Sequence, residues 1–305
     1  MAENMREIKN RIKSVKQTMQ ITKAMKLISA VKLRKAREQL EKSAPYFKIV
    51  KETIASMLEN SGVINHKCLN PVVISKKQLF FVISGDKGLV GGYNSNILKL
   101  TEQVLSDCTD SSLFVAGNVG RNYLTRHGYN VDSAFDFGVQ NPTVYRSRDI
   151  ADMILEKFLL NEYDEVFMVY TRMISSMAQE PVVVQLLPLE VTALELATIG
   201  KNVGFTEISK EDLKTRRSIS NKIEYEPDAS KVFDFLVPKY LKGMIYGALV
   251  ESFTCEQNAR MTSMDSATKN AEEMIADLNL FYNRARQANI TQEISEIVGG
   301  AAALE

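Results

Sequence analysis

Ser84–Asn94, SGDKGLVGGYN, is the stretch whose residues could most readily do chemistry, because glycine-rich loops cradle phosphates. It follows the apolar run QLFFVIS and precedes the amphipathic NSNILKLTEQVL, where a phosphate loop would lie. The spacing fails. A Walker loop needs G-x-x-x-x-G-K-[ST], whereas Gly91 is followed by Gly92 and Tyr93. A dinucleotide fingerprint needs glycines two and then three apart, and Gly85, Gly88 and Gly91 are three and three apart. The stretch instead predicts a tight strand-to-helix turn requiring positive φ or close backbone approach. The two histidines, His66 and His127, are too few for a His-based catalytic centre or metal cluster and are expected in loops or at the surface. Cys68, Cys108 and Cys255 are odd in number and hold no Cys-x-x-Cys pair, which argues for a reducing compartment rather than zinc or disulfides. The carboxylate pairs Glu272–Glu273 and Glu293 with Glu296 fall at surface spacings in helical stretches and read as solvated faces. No catalytic residue, cofactor or metal ligand is therefore expected.

Charge is the stronger signal. Ile8–Arg37 carries ten Lys and Arg and no Asp or Glu, in a chain of net charge +1. Nucleic acid could take such a band through its phosphates, but the first aromatic is Tyr46, so no ring in the band can stack on bases. A membrane surface would need bulky apolar anchors, and the apolar face of this stretch already follows a coiled-coil pattern. An acidic protein surface surrounding the helix is a third reading, and a merely solvated face a fourth. No apolar run approaches the ~18 residues of a membrane span. No secretory signal is visible, and Glu3 and Glu7 argue against a transit peptide.

The elements that would position these residues fall into three segments. From Ala2 to Ala44 there is neither Gly nor Pro, and Met5, Ile8, Ile12, Val15 and Met19 recur at three-four spacing. The stripe is expected to drift through Met25, Ile28 and Val31, with Pro45 kinking or interrupting the helix before it resumes to about Leu58. Strand candidates QLFFVIS, SLFVAG, EVFMVYT and PVVVQLLPL alternate with helical stretches, predicting a Rossmann-like α/β domain with a mainly parallel sheet over 75–205. A second helix without Gly or Pro spans Ala248 to Val298, its seam running Met261, Met264, Thr268, Ala271, Ile275, Leu278, Tyr282, Ala285 and Asn289. At about 1.5 Å per residue these helices measure roughly 65 and 75 Å. A compact globule of this size is about 50 Å across, so the two are expected to pair outside it, antiparallel. The fold class is thus α/β: a long antiparallel coiled coil of N-terminal (1–60) and C-terminal (228–305) helices plus the α/β domain.

ITQEISEIVGGAAA, at Ile290–Ala303, resembles the signature of the F-type ATP synthase gamma subunit family through Ile290, Thr291, Glu293, Glu296, Gly300, Ala301 and the small residue at 303. ITKAMKLISAVKLRKA, SGDKGLVGG, the stretch from Ala178 to Pro181 with QLLPL, RQANITQE and YEPD are similar to other elements of that family. The resemblance implies a non-catalytic central-stalk rotor of a bacterial enzyme, coupling ion-driven c-ring rotation to conformational change at the beta-subunit sites. The implied partners are the ring of alpha and beta subunits, the epsilon subunit and the c-ring. Nucleic acid would have no part, and membrane association would be indirect, peripheral, on the cytoplasmic face of the cell membrane. Lys23, Met25 and Lys26 match the part facing the acidic beta lever segment; Arg286, Gln287 and Thr291 match polar contacts to a beta loop. Tyr225 and Glu226 match the foot on the c-ring. Lys87 and Val90 replace an arginine and a cysteine common in relatives. No cysteine lies between Pro188 and Asp228, where chloroplast members carry a redox pair, and the helix starts without a leader; both point to a bacterial member. A coiled-coil nucleic-acid binder and an α/β enzyme with a helical arm remain the alternatives.

Overall fold

The computed structural model describes residues 2–60, 64, 66–69, 76–175, 178–189, 225–226 and 228–302. The elements in chain order are α1 (Ala2–Asn60), β1 (Gln78–Ile83), α2 (Tyr93–Ser106), β2 (Ser111–Ala116), α3 (Asn118–Arg126), α4 (Val144–Leu159), β3 (Glu165–Met173), β4 (Gln179–Leu187) and α5 (Ala229–Ala302). The part of the expected α/β segment beyond residue 189, and Ala303, lie outside the described residues. The chain divides into two compact units: residues 1–30 with 260–305, and residues 31–259.

In the larger unit four strands run in the order β2-β1-β3-β4. β1 pairs parallel to β2 and β3, and β4 returns antiparallel to β3. The strands are apolar nearly throughout because both faces are covered. Leu79, Phe81 and Ile83 of β1 join a core with Ile150, Ile154 and Phe158 of α4, Ile54 and Met57 of α1, and Phe233, Leu241 and Ile245 of α5. Phe80 and Val82, pointing the other way, pack with Ile97 and Leu105 of α2 and Leu124 of α3. The terminal helices thus contribute one face of the sheet's cover as well as pairing with each other. Within this unit Ala36, Leu40 and Phe47 of α1 meet Tyr246, Val250 and Phe253 of α5.

Pro45, where an interruption is expected, lies inside an unbroken α1. A proline forfeits one helical hydrogen bond; here Ala44 and Phe47 on either side are buried, and that packing holds the backbone helical. Pro238 sits likewise inside α5. That helix is capped by Asp228, the residue before it and the last of YEPD, whose carboxylate accepts the Lys231 N–H at 2.9 Å.

In the smaller unit the first part of α1 lies along the last part of α5. Lys26 pairs with Asp265 and Lys23 with Glu272, so numbers fall along one helix as they rise along the other and the two are antiparallel, with Thr22 and Thr268 in contact between the helices. Met5, Ile8, Ile12, Val15 and Met19 are the shielded positions of α1 as expected, and every seam position expected of α5 is buried or half-buried. After Met19 the expectation holds at Met25, which is half-buried, and is corrected at Ile28 and Val31. Ile28 is 55% exposed and Val31, the first residue of the larger unit, 69% exposed, while Thr22 and Ser29, and Ala36 within the larger unit, take the buried places. These three small residues are seven apart, a heptad that an apolar-only reading passes over.

Candidate functional site

The basic face of α1 is the candidate interaction surface. Helical geometry places its cations around the sides of the seam, where two are drawn to α5. Lys23 Nζ lies 2.8 Å from Glu272 Oε1, with both side chains about half exposed. Lys26 Nζ lies 2.5 Å from Asp265 Oδ1, which also takes Lys269 at 3.1 Å. The hydrogen bond from Lys26, followed by that from Lys269, holds the Asp265 carboxyl below its ordinary range. Between these pairs the Thr22 and Thr268 hydroxyls meet at 2.7 Å in the buried seam. Glu272, read from sequence as part of a solvated acidic pair, is thus a partner of Lys23. A positional signal was available: Asp265 and Glu272 are seven apart and flank the seam on the side of the lysines. Met25 is half-buried beside them.

Further along α5, Arg286, Gln287 and Thr291 are exposed, as are Ile290, Glu293 and Glu296. Glu296 accepts from Gln292 at 2.9 Å, one turn away. Ile290, Ile294, Ile297 and Val298 form an exposed apolar flank. Gly300 and Ala301 are in helix α5, and the space beside Gly299 is open. In the larger unit Tyr225 packs on the core while Glu226 is exposed.

The turn after β1 is closed on itself. Gly85 donates its N–H to Asn94 Oδ1 at 2.8 Å, and a Cβ at Gly85 would meet that oxygen at the same distance. Asp86 occupies the mouth, accepting N–H bonds from Asn118, Val139 and Gln140 at 3.2 to 3.3 Å. A carboxylate there repels a phosphate, and the donor a phosphate would use at Gly85 is taken. Positive φ occurs at Gly91 as expected, and also at Leu89, which sequence reasoning missed. His127 is exposed at the end of α3, whereas His66 is half-buried: its Nε2 reaches Asp234 at 2.7 Å and its ring meets Phe233 edge-on. Burial pushes the Cys68 thiol up to about 12, so it is an inert core group. Among the described residues no helix is long and apolar enough to cross a membrane.

Against this geometry the comparisons are decisive. The family model described as ATP synthase matches residues 4–304. The ATP synthase gamma chain of Ruminiclostridium cellulolyticum is 53% identical over 309 residues, covering 100% of both chains. The chain belongs to the ATP synthase gamma chain family. Its fold is similar to that of a chain in the mitochondrial ATP synthase of Euglena gracilis, in an assembly of OSCP, F1 and c-ring. That match has a TM-score of 0.64 at 16% identity and covers 100% of this chain and 95% of that one. A chain of the central stalk and c-ring of the Tetrahymena thermophila mitochondrial ATP synthase matches at a TM-score of 0.55 and 22% identity, covering 81% and 99%. Membership in this family places the chain in a membrane-associated complex as one of its subunits, and leaves the nucleic-acid alternative unsupported.

Proposed function

We propose that the chain is the central-stalk rotor of a bacterial F-type ATP synthase, coupling ion-driven turning of the c-ring to conformational change at the beta-subunit sites. It performs no bond chemistry. Its parts are an N-terminal helix (1–60), an α/β domain (75–205) and a C-terminal helix (228–305). The observation that carries the reading is the antiparallel helix pair, one member of which presents ten cations and no acid over Ile8–Arg37, in a chain of this family. Attraction between such a face and an acidic surround acts at every angle of rotation. Single exposed pairs contribute about 0–1 kcal/mol, so the face guides the shaft without fixing one pose.

Lys23, Met25 and Lys26 would face acidic beta segments. Arg286, Gln287 and Thr291 would touch a beta loop, and Tyr225 and Glu226 would belong to the foot on the c-ring. The alpha and beta ring, the epsilon subunit and the c-ring are the partners, and the complex would hold the chain peripherally on the cytoplasmic face of the membrane. Affinity purification of the tagged full chain from its own cells tests this. Alpha, beta and epsilon subunits are expected in the eluate. A chain that elutes alone, or on DNA with a steep salt dependence, overturns it.

A further inference from the structure

β3 runs past the end of its neighbour: β1 stops at Ile83, pairing Val82 with Val169, while β3 continues to Met173. Alternate residues of a strand present their N–H groups to the same edge. On the edge that β1 has left, none of the described strands pairs with Thr171 and Met173. Helix α5 receives their N–H groups with side chains. Ser252 Oγ accepts the Thr171 N–H at 3.2 Å and Glu251 Oε1 accepts the Met173 N–H at 3.0 Å. Both acceptors are fully buried, and Thr171 and Met173 are each 3% exposed. A helix from this stretch needs only apolar residues to cover a sheet, so consecutive Glu and Ser at full burial are a costly choice unless the bonds they make matter.

α1 reaches the same place. An Arg37 guanidinium N–H points at Met173 Sδ at 3.7 Å, and Met173 packs with Val90, Tyr93 and Cys255. Tyr93, at the start of α2, is buried beside Ser252 and Thr171. One end of the sheet is therefore fastened by directional bonds to the helix that continues into the seam.

We propose that Glu251 and Ser252 are positioning residues of the rotor: they lock α5 to β3 so that sheet and helix turn together under load. The proposal rests on the rotor reading above. Apolar faces of helix and sheet resist separation but can slide. A hydrogen bond is directional, and breaking one here leaves an N–H without its acceptor at a residue only 3% exposed.

The test uses the assembled alpha–beta–gamma complex with a probe on the exposed Lys99→Cys position of α2, turned by ATP hydrolysis. A wild-type probe that does not rotate refutes the rotor reading itself and is scored separately. Given rotation, Ser252→Ala and Glu251→Leu should widen the angular spread of the probe during dwells. They should also speed amide exchange at Thr171 and Met173 respectively by about tenfold, the loss of one buried acceptor. Glu251→Gln keeps an acceptor oxygen and should restore both readouts. Ser252→Ala, the smaller change, carries the test should Glu251→Leu not assemble. Rotating variants with wild-type spread, or a Gln variant as loose as the Leu variant, overturn the proposal.

Discussion

Asp265 shows how one residue is held by two cations on different helices. Its carboxyl is held below the ordinary range chiefly by Lys26 and secondarily by Lys269. A lowered folded value means the pair contributes stability above the unfolded aspartate pKa and loses it as pH falls through the folded one. Both partners are substantially exposed, so the contribution is small. Lys26→Met should raise the Asp265 pKa toward normal while leaving the part due to Lys269, read by NMR carboxyl titration; an unmoved pKa would exclude Lys26 as the main cause. The neighbouring Thr22–Thr268 contact differs because it is buried. Each hydroxyl also has a backbone carbonyl within reach, Met19 O at 3.0 Å and Met264 O at 2.8 Å. Thr268→Val alone should cost about 1 kcal/mol in thermal unfolding of the full chain, whereas changing both to Val should cost less than twice that. A fully additive double variant would show that the two hydroxyls act separately.

The crossing of α1 and α5 in the larger unit depends on a small residue. A Cβ at Gly243 would come within 2.5 Å of the Phe47 ring, which is itself 6% exposed and tilted against Tyr246 with ring centroids 5.8 Å apart. Gly243→Ala is expected to destabilise by about 1–3 kcal/mol in urea unfolding, the range for overpacking. Adding Phe47→Leu should give back part of that loss, because the two changes act on one space. Equal costs in the two backgrounds would remove the contact from the account. The same elements show how far sequence reading reaches. The four strands and the helices between them were legible from apolar runs and punctuation, and the α5 seam from its period. The continuity of α1 through Pro45 was not, because local propensity argues for a break and only packing at Ala44 and Phe47 overrides it. Hydrophobicity alone favours Ile28 and Val31 for the seam; Thr22 and Ser29 are the buried residues instead, small enough for close helix approach.

For the assembled molecule the open point is whether Lys23 and Lys26 serve the seam or the surround. Both charges are committed to α5 in part, yet Lys23 remains about half exposed. Lys23→Glu with Lys26→Glu is expected to weaken the coupling of ion flow to ATP synthesis and to lower the Tm of the chain. Adding Glu272→Lys and Asp265→Lys rebuilds the two ion pairs with their polarity inverted. The Tm should recover and coupling should not, since the cations would no longer sit on α1. Full recovery of coupling would reassign both lysines to the helix pair alone.

By itself the sequence determined the periodicities, the strands and the family. Those properties are carried by residue type and spacing along one chain, so they survive without coordinates. The tertiary structure decided which faces meet. It converted Glu272 from a solvated acid into the partner of Lys23, turned Asp86 into the closure of the β1 turn, and set Glu251 and Ser252 against the end of β3 that extends beyond β1. Each of these joins residues more than thirty positions apart, and no local pattern encodes a distance that only folding brings to hydrogen-bond length.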